Sequence, residues 1–275
     1  MDTIALPISV TSVIQSLGSA AAPLLIDVRR AEAFRADTCM AASATWRDPF
    51  AIDDWLKFMP RHRAIVVYCV HGHEISKNAC AAMQNAGLRA HYLDGGYEAW
   101  KAAGGALIRK NPTLGIPSTT NAPSKWITRE RPKIDRIACP WLIRRFIDPM
   151  AEFLYVPAAR VLEEARTLGA HPYDVPDVQF SHRGDACSFD AFIEDFAIDD
   201  PLLRSLAAIV RGADTGIPEL TPQSAGLLAV SLGLSALHPE DQVMLEHGFT
   251  IYDALYAWLK SARKEVHNAD LFCKP

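Results

Sequence analysis

Three short apolar runs, at residues 24–28, 64–68 and 90–93, punctuate the first hundred residues, and each is apolar on nearly consecutive positions. A strand with one wet face would alternate apolar and polar residues, so near-continuous runs demand cover on both faces, as in a parallel sheet sandwiched by helices. Between the second and third runs, Ile75, Ala79 and Met83 recur at four-residue spacing, predicting a helix over 75–86 with Gly87 as its stop. The first part therefore reads as an α/β domain with a parallel central sheet.

From 104 to 124 the text becomes GGALIRKNPTLGIPSTTNAPS, where Pro, Gly, Ser, Thr and Asn break every periodicity. This divides the chain into a first domain at 1–107, a connector at 108–124 and a second domain at 125–275. The second domain is mainly α (α+β) by pattern. Helices are expected at 140–147, 159–168, 189–196, 201–210, 224–234 and 249–261, and short strands at 125–128 and 152–156.

With 275 residues and 49% hydrophobic content, the chain can bury two ordinary cores or one large one. A net charge of -4 with interspersed signs leaves no basic stripe for a phosphate backbone, so nucleic acid is not an expected partner. The longest apolar stretches, 225–237 and 64–70, fall short of the roughly 20 residues a membrane helix needs. The opening MDTIALPISV has no basic region followed by an apolar core, which points to a cytoplasmic protein. Cys39, Cys69, Cys80, Cys139, Cys187 and Cys273 lack paired spacing and read as free thiols of a reducing compartment.

Cys69 carries the clearest chemistry. It closes the run AIVVYC and is followed by VHGHE and then a helix, so it sits where a buried strand becomes a helix N-terminus. Loop N–H groups and the positive helix end there can stabilise a thiolate and a bound anion. Gly72 lets the loop curl, and His71 and His73 can add charge or move protons. Cys80, on the following helix, reads as packing.

Strand, Cys, glycine loop and helix together resemble the active loop of the rhodanese (sulfurtransferase) family. LLIDVRRAEAF, with Asp27 and Arg29, is similar to that family's early element, and YLDGGYEAWKAAGG, with Gly95, Gly96 and Trp100, to its closing one. The resemblance covers residues 21–105. It implies a rhodanese-like fold and a Cys69 that accepts sulfane sulfur, holds it as a persulfide and passes it to a thiol acceptor without a cofactor. Val70, His71, Gly72, His73, Glu74 and Ile75 would form the substrate cradle. Family loops often carry Arg one and five residues after the Cys, whereas Val70 and Glu74 stand here. That favours a neutral or protein-bound sulfur donor, or an anion held by His71 and His73, over thiosulfate. Glu74 and Ile75 also lack the Arg fork that related phosphatases need. Asp27 and Arg29 read as a structural pair, and Cys39 as a thiol able to resolve a persulfide only if the fold brings it close.

In the second half, Pro140 reads as the first residue of a helix. Cys139 is then either a thiol at the positive helix end or a small residue beneath Trp141. His182 and Cys187 share a polar loop, and with Asp135 and Asp214 they form a candidate ligand set for a transition metal such as iron or zinc. Arg136, Arg144, Arg145, Arg183 and Arg211 could hold an oxyanion such as chromate or sulfate if they converge, and are otherwise solvated. His171, His238 and His247 read as structural. DRIACPWLIRRFIDP (135–149), HRGDACSFD (182–190), VRGADTG and YDALYAWL resemble the C-terminal domain of ChrB-type chromate-resistance proteins, from Lys125 to about Leu259.

The leading expectation is a sulfurtransferase acting under chromate or oxidative stress. Its rivals are a non-catalytic chromate or metal sensor, and a metalloenzyme centred on His182. Oligomeric state is open.

Overall fold

The structure is a computed structural model describing residues 5–114 and 122–265. Cys273 and the middle of the expected connector lie outside the described residues. The first half runs β1 (Pro7–Ile8), α1 (Val10–Ser16), β2 (Leu24–Asp27), α2 (Ala31–Ala36), β3 (Cys39–Ala41), β4 (Ala44–Trp46), α3 (Ile52–Leu56), β5 (Ile65–Tyr68), α4 (Glu74–Asn85), β6 (Ala90–Leu93), α5 (Gly96–Ala102) and β7 (Leu107–Arg109). Five strands form an all-parallel sheet in the order β1-β6-β5-β2-β4.

The apolar runs are explained by the two faces of this sheet. Leu24, Ile26, Ile65, Val67 and Cys69 pack into one cluster with Ala79, Cys80 and Met83 of α4. Leu25, Val66 and Tyr68 point the other way, into a cluster that continues through Trp126, Trp141 and Phe192 to Leu259. Side chains alternate along a strand, so a run covered on both faces must be apolar throughout. The segment DTCMAAS, unassigned by pattern, supplies β3, which pairs antiparallel with β7. Strand β7 therefore runs to Arg109, two residues into the stretch read as connector.

The second half comprises β8 (Lys125–Arg129), α6 (Asp135–Leu142), β9 (Glu152–Val156), α7 (Val161–Leu168), β10 (His171–Pro172), α8 (Ser188–Asp195), α9 (Pro201–Asp214), α10 (Ser224–Leu237) and α11 (Asp241–Ala257). It is mostly helical, with a small parallel sheet in the order β10-β8-β9.

The expected start of α6 needs correction. Pro140 lies inside the helix rather than at its first position, and the chain continues as a π-turn over Ile143–Ile147. Proline has no N–H, so the carbonyl four residues back, that of Arg136, loses its helical donor. The Tyr173 hydroxyl donates to that oxygen at 3.4 Å.

The two halves pack together. The Ser43 N–H donates to the Phe146 carbonyl at 2.6 Å, and the Arg109 N–H to that of Phe196 at 2.7 Å. Lys260 donates to the carbonyls of Ile14 and Gln15 at the end of α1, where a cation complements the helix dipole. Gly18, at φ +79°, lies flat against the Tyr256 ring, and a Cβ there would fall 2.3 Å from a ring carbon.

Candidate functional site

Cys69 follows the last residue of β5, and α4 begins at Glu74, as the sequence implied. The loop between them is folded against the Gly95–Gly96 turn. A Cβ on Gly72 (φ +71°) would meet the Leu93 carbonyl at 2.7 Å, and one on Gly96 (φ +61°) would meet the Cys69 carbonyl at 2.5 Å. Only glycines allow this approach. The Cys69 and Val70 carbonyls accept from the N–H groups of Tyr97 and Glu98, at 2.9 and 3.0 Å. With its carbonyls drawn toward α5, the loop turns its own N–H groups toward the sulfur.

Cys69 is 5% exposed, and its sulfur lies 3.3 Å from the Ser76 hydroxyl. Burial pushes the thiol pKa up, but the Ser76 hydroxyl and the N–H groups of Ser76, His73 and His71 outweigh it, leaving the thiol below its ordinary value. Above the sulfur opens a cleft of about 620 Å³ lined by Arg29, Arg30, Ala33, Cys69, Lys77 and the loop. Of the six expected cradle residues, Val70, His71, His73, Glu74 and Ile75 line it, while Gly72 lies beneath. Cys39 is not among the residues that line this cleft.

Arg29 is buried, bonded to Asp27 at 2.7 Å and to Asp37 at 3.2 Å, and lies over the Tyr97 ring. It is the structural pair expected with Asp27. The cations that face the cleft more freely, Arg30 and Lys77, were missed by sequence reasoning, as was Ser76. Arg30 sits beside Arg29 in DVRR and Lys77 one turn into α4, so adjacency to the motif was the available signal.

In the second half, Asp135 begins α6, Asp214 ends α9, and His182 lies in the loop before α8. Their donor atoms all fall within 4.8 Å of one another. His182 Nε2 is 3.4 Å from Asp135 Oδ2 and 3.2 Å from Asp214 Oδ2. A fourth residue, Asp174, comes within 3.5 Å. Sequence reasoning missed it because nothing but the fold of β10 brings it near. The Asp135 hydrogen bond raises the His182 pKa to about 9, while burial raises that of Asp214 to about 7.

Cys187 does not join this group. Its thiol is fully buried and donates to Asp190 Oδ2 at 3.4 Å, while its N–H donates to the same oxygen at 3.0 Å. Burial and the nearby Asp135 and Asp190 push its pKa far up. Cys139 is likewise buried inside α6 with a raised pKa, the packing role rather than the cap. The five arginines do not share an anion site. Arg136 pairs with Asp174, Arg145 with Asp253, Arg183 with Asp195 and Arg211 with Asp190, while Arg144 donates to the Ala151 carbonyl. The condition set for oxyanion binding is therefore not met.

These geometries coincide with two family matches. Residues 9–103 match the model of the rhodanese-like domain, and residues 126–259 that of the ChrB C-terminal domain. The chain joins a rhodanese-like domain to a ChrB C-terminal domain. Protein ChrB of Cupriavidus metallidurans is 35% identical over 141 residues, covering 51% of this chain and 42% of its own. The chain thus spans less than half the length of that relative. Among solved structures, a rhodanese-related protein from Thermoplasma volcanium is 20% identical, covering 37% of this chain and 96% of its own, with a TM-score of 0.33. A protein from Lactobacillus plantarum is 24% identical, covering 37% and 87%, with a TM-score of 0.35. Among the described residues no helix is long and apolar enough to cross a membrane.

Proposed function

We propose that this protein is a sulfurtransferase in which Cys69 carries a sulfane sulfur as a persulfide, working in thiol chemistry under chromate or oxidative stress. The observation that carries the reading is the Cys69 sulfur beneath the N–H groups of His71, His73 and Ser76, at the floor of an open cleft. Those donors do not need to reorganise when charge develops on sulfur, and preorganised N–H groups are the usual means of stabilising such charge.

Ser76 supplies a second device. Its hydroxyl lies within reach of both the sulfur and the His73 carbonyl, at 3.3 and 3.1 Å. With a thiol, the hydroxyl donates to the carbonyl and accepts from S–H; with a thiolate, it turns and donates to sulfur. The Cys69 thiolate attacks the outer sulfur of a persulfide donor RSSH, forming Cys69–SSH and releasing RS⁻. An acceptor thiolate then takes the outer sulfur and leaves the Cys69 thiolate. No oxidant or cofactor enters either step.

Arg30 and Lys77 restore positive charge at the mouth of the cleft, where Val70 and Glu74 withhold it from the loop. The loop itself still lacks the arginines that Val70 and Glu74 replace, which favours a neutral or protein-bound sulfur donor over the thiosulfate dianion. A reducing cytoplasm fits the described cysteines, which are all free. Chromate consumes thiols as it is reduced, which gives a sulfur carrier a place beside a ChrB C-terminal domain. The test is sulfur transfer from a glutathione persulfide donor to a thiol acceptor. Cys69→Ser should reduce it at least about a thousandfold, whereas transfer unchanged in that variant would refute the reading.

A further inference from the structure

The three carboxylates around His182 have a geometry that an ordinary ion pair does not explain. One imidazole N–H points in one direction and makes one good charge-assisted bond, of about 2.7–2.9 Å. Here three carboxylate oxygens from three separate segments surround Nε2 at 3.2, 3.4 and 3.5 Å, and none reaches that range. Donor atoms held on an ion at about 2.0–2.2 Å stand roughly 3.0–3.4 Å from one another in tetrahedral or octahedral arrangements. The separations of Asp214 and Asp135 from the His182 nitrogen, 3.2 and 3.4 Å, fall in that range, and the three donor atoms lie within 4.8 Å of one another.

Charge leads to the same place. Asp174 Oδ2 is bonded to Arg129 and Arg136, at 2.8 and 3.2 Å, which leaves Oδ1 facing His182. Among the described residues no basic side chain other than His182 pairs with Asp135 or Asp214. Two carboxylates, 2% and 14% exposed, therefore share one imidazole. Buried charge left uncompensated is costly, and a dication would balance both carboxylates with the imidazole neutral.

The surroundings hold these donors in place. Ser188 donates its N–H to Asp135 and its hydroxyl to Asp174 Oδ1. Ile134, immediately before Asp135, adopts φ +45°, a conformation rare for a β-branched residue. It is held there by Ser231, whose hydroxyl accepts from its N–H at 2.8 Å, and by Tyr252, which donates to its carbonyl at 2.7 Å. A cleft of about 570 Å³ beside the group is lined by Arg129, Asp174, Ser181 and His182 among others. His182 is 41% exposed.

We propose that Asp135, His182 and Asp214, whose donor atoms all lie within 4.8 Å of one another, bind one divalent first-row transition cation, with Asp174 beside them at 3.5 Å from the His182 nitrogen. The set of two carboxylates and one imidazole, without a thiolate, suits Mn²⁺, Fe²⁺ or Zn²⁺ rather than a thiolate-selecting metal.

The experiment takes the full chain, strips it with a chelator and titrates it separately with Mn²⁺ and Zn²⁺. Calorimetry, and loss of the free Mn²⁺ paramagnetic resonance signal, should each report one equivalent bound. His182→Gln and Asp214→Asn should each weaken binding by about a hundredfold or more, with circular dichroism confirming the fold. Asp199→Asn, which alters an exposed pair with Arg204, should bind as the parent does. Cys69→Ser should also bind normally, so failure of the sulfur chemistry and failure of this site are separable. The proposal is overturned if neither ion binds the folded parent, or if both substitutions at His182 and Asp214 leave the affinity intact.

Discussion

Cys69 and Cys187 make an instructive pair. Each is a buried thiol near a helix N-terminus, Cys69 in the loop that leads into α4 and Cys187 at the N-cap of α8, and by position alone both would be activated. Yet the Cys69 pKa lies below the ordinary thiol value and that of Cys187 far above it. Burial raises both, and the neighbours then push in opposite directions. Around Cys69 the loop presents N–H groups and a hydroxyl, and its carbonyls are drawn off into α5. Around Cys187 the oxygens of Asp190 and the charge of Asp135 face the sulfur, so a second negative charge there is opposed. A helix N-terminus is a weak instrument against burial reinforced by nearby carboxylates.

That contrast can be broken in three ways, and the largest effect is kinetic. Alkylation of the folded protein at neutral pH should modify Cys69 at least about a hundredfold faster than Cys187, because rate follows thiolate fraction and access. Peptide mapping over time reads both sites at once, and comparable rates would dissolve the distinction.

Ser76→Ala sharpens the comparison from the side of Cys69. It removes the hydroxyl donor to the sulfur, so the thiolate loses stabilisation and its pKa rises. A depressed pKa means reactivity already developed at lower pH; in the variant the pH–rate curve should move alkaline, with alkylation at pH 7 slowed about three- to tenfold. A curve that does not move would remove Ser76 from the account.

Asp190→Asn tests the other side, with the smallest effect. The carboxylate accepts from both the N–H and the thiol of Cys187 and pairs with Arg211 at 3.1 Å. The amide should cost about 1–2 kcal/mol of stability, read as a lower melting temperature. Cys187 should stay unreactive, since burial, the largest cause of its raised pKa, is unchanged.

The same contrast explains what could be read from the chain and what could not. The three central parallel strands, β2, β5 and β6, were evident because cover on both faces is written in consecutive residues, as in Ile65–Tyr68. The Cys69 loop was evident because strand, cysteine, glycine and helix follow one another within twenty residues. Strand β3 was missed, since Cys39–Ala41 is short and pairs only with the distant Leu107–Arg109. Helix α6 was started too late because Pro140 usually opens a helix, whereas here Tyr173 supplies the donor that proline displaces. Three of the four residues that meet at His182 were named from the sequence, but Cys187 was placed among them and Asp174 was not. Their convergence depends on the ends of β10, α6 and α9 meeting in space, which no local pattern records.

The most direct measurement is mass spectrometry of the folded protein after exposure to a persulfide donor, with peptides trapped by an alkylating agent. One added sulfur atom on the Cys69 peptide, lost on addition of an acceptor thiol and absent from the Cys187 peptide, is the predicted result. A Cys69 peptide that gains no sulfur under conditions where the donor is consumed would contradict it.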